Sequence, residues 1–172
     1  MKKIILCGYM ASGKTTIARL LAQASGLIYI DLDEVIEKKT GKTITQLFED
    51  GGEIKFRKLE HEALAETVDG TEGFILSLGG GTPSYTNNHE VLKRGDVISV
   101  YLKASIKEII KRIKQQPGLR PLLEAHKDEN ELEEFIAKHL FDRSYYYHQA
   151  KHIVATDGKT PEAITNEIMS LF

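Results

Sequence analysis

Gly8-Tyr9-Met10-Ala11-Ser12-Gly13-Lys14-Thr15 is the densest run of chemistry in the chain: a glycine, four further residues, then Gly-Lys-Thr. Such a loop can wrap an anion, because glycine tolerates the tight backbone and successive N–H groups, here Ala11 to Thr16, can point inward. Lys14 would then reach the β- and γ-phosphates, and the Thr15 hydroxyl would ligate Mg²⁺. A glycine-rich turn with a chance lysine is the bland alternative. The frame argues against it. Ile4-Ile5-Leu6-Cys7 reads as a buried strand ended by Gly8, and a helix starting near Lys14 carries Ile17, Leu20, Leu21 and Ala24 at helical spacing. Its N-terminal dipole adds to the pull on phosphate. The pattern and its frame make a nucleoside-triphosphate site.

Other residues could complete that site. Asp31 and Asp33 follow a second short strand, Leu27 to Asp31, and open α/β sheets bind ligands beyond the C-terminal ends of their strands. Two residues apart, they could share a face, toward the phosphates; alternatively Asp33 caps a helix over Glu34 to Lys39. Gly79-Gly80-Gly81 ends a third strand, Phe74 to Leu78, and suits a loop lying close to a substrate. Arg57, taken alone, is an ordinary helix charge. Arg120 lies in Gln115-Gln116-Pro117-Gly118-Leu119-Arg120-Pro121, which breaks helical periodicity and reads as a mobile excursion. Loops that close over phosphates often bring an arginine.

The elements that must position these residues fit one domain of 172 residues. After the second strand come a capping box at Thr43 to Gln46, a break at Gly51-Gly52 and a helix from Glu53 to about Val68, with Phe56, Leu59, Ala63 and Thr67 on one face. A short helix over Asn88 to Lys93 precedes a fourth strand, Asp96 to Leu102. Ser105 caps a further helix. A long helix from Asp128 to about Ala150 carries Arg143 and the run Tyr145-Tyr146-Tyr147, whose simplest reading is packing against the core. A fifth strand, His152 to Thr156, leads to a last helix opened by Thr160 and Pro161. The parallel strand–helix–strand units imply an α/β fold with right-handed crossovers.

Hydrophobic residues make up 41% and charged residues 28%, and the net charge of −2 offers nucleic acid no electrostatic footprint. With no apolar run long enough for a membrane span, the expectation is a soluble, cytoplasmic protein. The single cysteine, Cys7, falls in the first strand and reads as a small core residue. The six histidines lack a metal-ligand pattern.

With GYMASGKT, DLDEVIE, FRKLE, SLGGGT, LRPLL and FDRSYYY in this order, the chain resembles the shikimate kinase family along nearly its whole length. The resemblance implies a P-loop kinase, a three-layer sandwich with a five-stranded parallel sheet in the order 2-3-1-4-5. It implies a substrate-binding insertion at about 32–62 and a lid at about 113–127. It further implies ATP and Mg²⁺, phosphorylation of the 3-hydroxyl of shikimate, no nucleic acid or membrane partner, and a monomer. Lys14 and Thr15 match the phosphate lysine and the metal hydroxyl, Asp31 an aspartate holding the metal through water, and Asp33 the residue at the substrate hydroxyls. Arg57 and Arg143 match two arginines on the substrate carboxylate, and Gly79 to Gly81 line the same pocket. Arg120 matches a lid arginine on the phosphates. Pro161, and more loosely Arg112 and Lys159, fall where the family holds adenine.

Tyr9-Met10-Ala11-Ser12 departs from the family's glycine-richer loop, although Ala11 and Ser12 are small enough for an anion cradle. Ser77 stands near where many P-loop proteins carry an aspartate, which gives Asp31 more weight for the metal. A gluconate or nucleoside-monophosphate kinase keeps the P-loop and changes the acceptor. A GTP switch is disfavoured because no N-K-x-D run occurs, and an inactive relative because Lys14, Asp33 and the arginines are all present.

Overall fold

The structure, a computed structural model, describes residues 2–116 and 128–172. Five short apolar segments pair in parallel into one sheet: β1 (Lys3–Cys7), β2 (Ile28–Asp31), β3 (Phe74–Ser77), β4 (Val97–Lys103) and β5 (His152–Ala155). Their order is β2-β3-β1-β4-β5, as the family resemblance implied. Central β1 sets Ile5 opposite Leu76 of β3 and Ser99 of β4.

Alternation along β1 divides the interior in two. Ile4 and Leu6 face α1 (Lys14–Ser25) and the last helix (Pro161–Met169), packing with Ile17, Leu21, Ile164 and Ile168. Ile5 and Cys7 face the other way, toward Leu64 and Val68 of α3 (Ile44–Asp69), Ile109 of α4 (Ile106–Gln115) and Ile136 of α5 (Glu129–Tyr147). The last helix is numbered α6. A parallel sheet buried on both faces needs such continuous apolar strands. Each large aliphatic side chain buried here contributes about 1.5–3 kcal/mol.

Several local expectations are corrected. On α1 the buried stripe is Ile17, Ala18 and Leu21, while Ala24 is exposed. The helix after β2 is α2 (Leu32–Thr40), not one starting at Glu34, and its cap is Asp31, whose side chain accepts the N–H groups of Asp33 and Glu34. Asp33 therefore stands inside the first helical turn, and strand alternation does not relate it to Asp31. The expected break at Gly51-Gly52 is present: the backbone leaves helical geometry at Gly52 (φ 69°, ψ −177°), dividing α3 into two helical pieces. Thr43 and Gln46 make the expected capping box. The short helix expected over Asn88–Lys93 is present, as a 3₁₀ helix. Of the three tyrosines ending α5, Tyr147 is fully buried and Tyr145 exposed. Of the stretch expected to form a lid, residues 113–116 complete and cap α4; residues 117–127, Arg120 among them, lie outside the described residues.

Candidate active site

The loop between β1 and α1 turns on Gly8, at φ 150°, where a Cβ would stand 2.7 Å from the Leu102 carbonyl oxygen. Only glycine fits there. Gly13 precedes α1 and Ala11 is left-handed at φ 61°. Lys14 folds its ammonium back over the loop, donating to the carbonyls of Gly8 (2.9 Å) and Tyr9 (3.0 Å). From α4, Arg112 donates to the Ala11 carbonyl (3.2 Å), to Thr156 Oγ1 (3.2 Å) and to Glu108 (2.9 Å). It thus ties the loop to the segment leading into Thr160 and Pro161, the N-cap and first residue of α6. Lys159 turns instead to Glu167, at 2.6 Å.

Thr15 and Asp31 meet across a residue with no role in the sequence reading, Tyr29. Its hydroxyl donates to Asp31 Oδ2 at 3.0 Å and is also hydrogen-bonded with the Thr15 side chain. Asp31 Oδ1 accepts the Asp33 N–H at 2.9 Å. A hydroxyl and a carboxylate gathered about one phenol are hard oxygen donors, the type Mg²⁺ takes together with waters and phosphate oxygens.

Asp33, at the start of α2, faces the glycine loop after β3. A Cβ on Gly79 would lie 3.6 Å from Asp33 Oδ1 and 3.4 Å from Glu60 Oε1, which places both carboxylates against one glycine. Burial, reinforced by the negative charges of Asp31 and Glu60 and opposed by Lys14, pushes the Asp33 carboxyl up to about 6. A carboxylate in that range can accept a proton near neutral pH.

Two guanidinium groups approach the next two glycines. A Cβ on Gly80 would stand 3.6 Å from Arg143 Nη1, and one on Gly81 only 2.7 Å from Arg57 Nη2. The loop is glycine where arginine comes closest. Arg57 lies over the Tyr85 ring at 4.0 Å and donates from Nη1 to Glu60 Oε2 at 2.8 Å. Its Nε is buried with no hydrogen-bond acceptor among the described residues. Glu60 is 1% exposed and takes the Thr82 hydroxyl on its other oxygen at 2.6 Å. Tyr85 donates to Glu53, whose Oε1 also lies 3.5 Å from Arg57 Nε. Arg143, on α5, stands over the Tyr9 ring at 5.9 Å, beside Tyr147, which donates to the Gly80 carbonyl. Two positive forks and a buried carboxylate thus converge on one glycine loop beside the phosphate loop, an arrangement suited to an anionic, hydroxylated acceptor.

Lys14, Thr15, Asp31, Asp33, Arg57, Gly79 to Gly81 and Arg143 all come to this end of the sheet; Pro161 joins through Thr156 and Arg112. The sequence reading missed Tyr29, Glu60, Tyr85 and Tyr9. Glu60 alone had a visible signal, being a carboxylate on the apolar stripe of Phe56, Ala63 and Leu64, one turn after an arginine.

A family model described as "Shikimate kinase" matches residues 10–172. A shikimate kinase of Flavobacterium johnsoniae is 49% identical over 171 residues, covering 99% of each chain. Among solved structures, shikimate kinase from Bacteroides thetaiotaomicron superposes with a TM-score of 0.87 at 33% identity, covering 99% of this chain and 96% of that one. Shikimate kinase from Acinetobacter baumannii in complex with shikimate gives 0.85 at 33% identity, covering 99% and 92%.

Proposed function

This chain belongs to the shikimate kinase family, and on that premise we infer how its own residues carry out ATP-dependent phosphorylation of the 3-hydroxyl of shikimate. The observation that carries the reading is the approach of Arg57 and Arg143 to consecutive glycines, Gly81 and Gly80, beside the Asp33 carboxylate.

The two guanidinium groups would grip the acceptor carboxylate, with the backbone of Gly79 to Gly81 as the wall behind it. Asp33 would then stand at the hydroxyls. It takes the proton of the attacking hydroxyl as that oxygen bonds to the γ-phosphorus and ADP departs. The N–H groups of Ala11 to Thr16 cradle the phosphates, and Lys14 exchanges its loop carbonyls for the β- and γ-phosphate oxygens. Because this transfer needs little covalent help, positioning and charge do most of the work.

Mg²⁺ belongs to the reading, and the oxygen donors Thr15 and Asp31 suit it. When bound, it would neutralise charge on the phosphates. Pro161 and Arg112 would flank the adenine; Lys159, paired with Glu167, is less well directed to it. An insertion at about 32–62, a lid at about 113–127 with Arg120 on the phosphates, and a monomer working in the cytoplasm complete the proposal. Among the described residues no helix is long and apolar enough to cross a membrane.

The test uses purified protein, ATP and Mg²⁺ with shikimate, its neutral carboxamide analogue and gluconate. Turnover of shikimate and poor turnover of the other two are expected. Equal rates on the amide would mean that the arginines do not read a carboxylate.

A further inference from the structure

Tyr9 touches both halves of the site through three separate groups. Its carbonyl accepts the Lys14 ammonium at 3.0 Å, on the phosphate side. Its ring, 1% exposed, lies beneath the Arg143 guanidinium at 5.9 Å, on the acceptor side. Its hydroxyl is hydrogen-bonded with His139 Nδ1 at 3.1 Å, one turn before Arg143 on α5. His139 itself packs against the Phe135 ring at a tilt, centroids 4.5 Å apart, so the hydroxyl is tied to a side chain that is held on its own helix.

We propose that Tyr9 is a positioning residue that couples nucleotide binding to acceptor binding, by joining the loop held by Lys14 to the helix that carries Arg143. This rests on Arg143 reading the acceptor carboxylate. The chain of cause is short. Phosphates draw the Lys14 ammonium from the Tyr9 carbonyl and reset the peptide at Tyr9. A phenol has only two side-chain torsions, and with its ring buried and its hydroxyl tied, a backbone adjustment is passed to the ring. The ring's negative face helps to orient the arginine above it. The burial that holds the ring also pushes the phenol up to about 12, so it remains a neutral donor or acceptor across the working range.

Coupling of this kind is reciprocal and is read as a ratio of affinities. Titration calorimetry would measure shikimate binding alone and with saturating ADP and Mg²⁺, and ADP binding with and without shikimate. Wild type, Tyr9→Leu, Tyr9→Phe and His139→Gln would be compared, with thermal unfolding as a control. In wild type each ligand should tighten the other. Tyr9→Leu should weaken shikimate alone by about two- to fivefold, the range of a cation–π contact. It should bring the ratio close to one while leaving ADP alone within about twofold of wild type, a shift on the order of 0.4 kcal/mol or less.

Tyr9→Phe and His139→Gln keep a full-sized side chain and should each reduce the ratio without abolishing it. These two decide the matter if the leucine variant does not fold. A merely structural role would weaken both ligands together and preserve the ratio; that result, or a wild-type ratio of one, overturns the proposal. Failure of wild type to bind shikimate at all would instead overturn the functional reading. Intact shikimate binding with an unchanged ratio in every variant would sink only the coupling.

Discussion

Glu60 Oε2 accepts the Arg57 Nη1–H at 2.8 Å, and this carboxylate, 1% exposed, lies on the otherwise apolar buried face of α3. The pair is an (i, i+3) contact on α3, closed on its far side by the Thr82 hydroxyl. One anion therefore holds both Arg57 and the loop that follows the three glycines. Removing it leaves the Arg57 guanidinium with only its longer contact to the exposed Glu53, at 3.5 Å, and a buried hydroxyl without its acceptor. Glu60→Ala should cost about 3–5 kcal/mol of stability, as when one partner of a buried ion pair is lost. Glu60→Gln, which keeps an acceptor oxygen, should cost clearly less. Urea unfolding checks both, and an alanine variant as stable as its parent would contradict the assignment.

Asp33 carries two opposite dependences on pH. Its carboxyl is raised from an ordinary 3.8 to about 6 in the folded chain, chiefly by burial. Between those values the folded state binds more protons than the unfolded one, so stability falls as pH rises through the window, by on the order of 3 kcal/mol in full. Above about pH 6 the whole penalty is present. Activity runs the other way in the proposed mechanism, where the ionised form acts as base: kcat/KM should climb through the same region. Asp33→Asn should lower kcat roughly a hundredfold or more, and it should be more stable than wild type at pH 7. A drop confined to KM would reduce Asp33 to a binding residue.

Arg57 and Arg143 should split the two Michaelis constants. Arg57→Ala should raise KM for shikimate roughly tenfold to a few hundredfold, from about 1.5–3 kcal/mol per charged hydrogen bond. Arg143→Ala should act in the same direction. KM for ATP should move much less, since neither side chain is directed at the phosphates. Arg57→Lys should already weaken the acceptor, because an ammonium keeps the charge but neither the fork nor the flat face on Tyr85. Equal losses for both substrates would argue that the arginines support the fold instead.

Lys14→Ala should remove roughly two to four powers of ten from kcat. The fold should persist, because the Lys14 ammonium bonds to carbonyls of its own loop, Gly8 and Tyr9, rather than filling the apolar core. Near-normal turnover with an unchanged circular dichroism spectrum would sink the phosphate assignment.

Local signals served the reading of the chain well. The loop from Gly8 to Thr15 is recognisable because its chemistry, its strand and its helix are contiguous. The Thr43 and Gln46 box and the Thr160-Pro161 start are legible for the same reason. In Asp31-Leu32-Asp33 the cap was expected at Asp33 and falls at Asp31; the outcome depends on where β2 stops pairing with β3, which a short local run does not encode. Tyr29, Tyr85 and Tyr9 lie beyond local reading. Each acts by meeting a side chain from another element: Thr15 on α1, Arg57 on α3 and Arg143 on α5. The roles of Arg57 and Arg143 came from family likeness, because an arginine on a helix looks the same whether it faces water or a pocket.

Cys7 has a use unrelated to catalysis. The chain's one thiol sits at the end of the central strand, 0% exposed and pushed up to about 12 by burial. Thiolate is the form that reacts, so alkylating and disulfide reagents should find almost none in the closed protein. Labelling then becomes a clock for strand opening: its rate reports how often β1 parts from its neighbours, and ligands that clamp the adjoining loop should slow it.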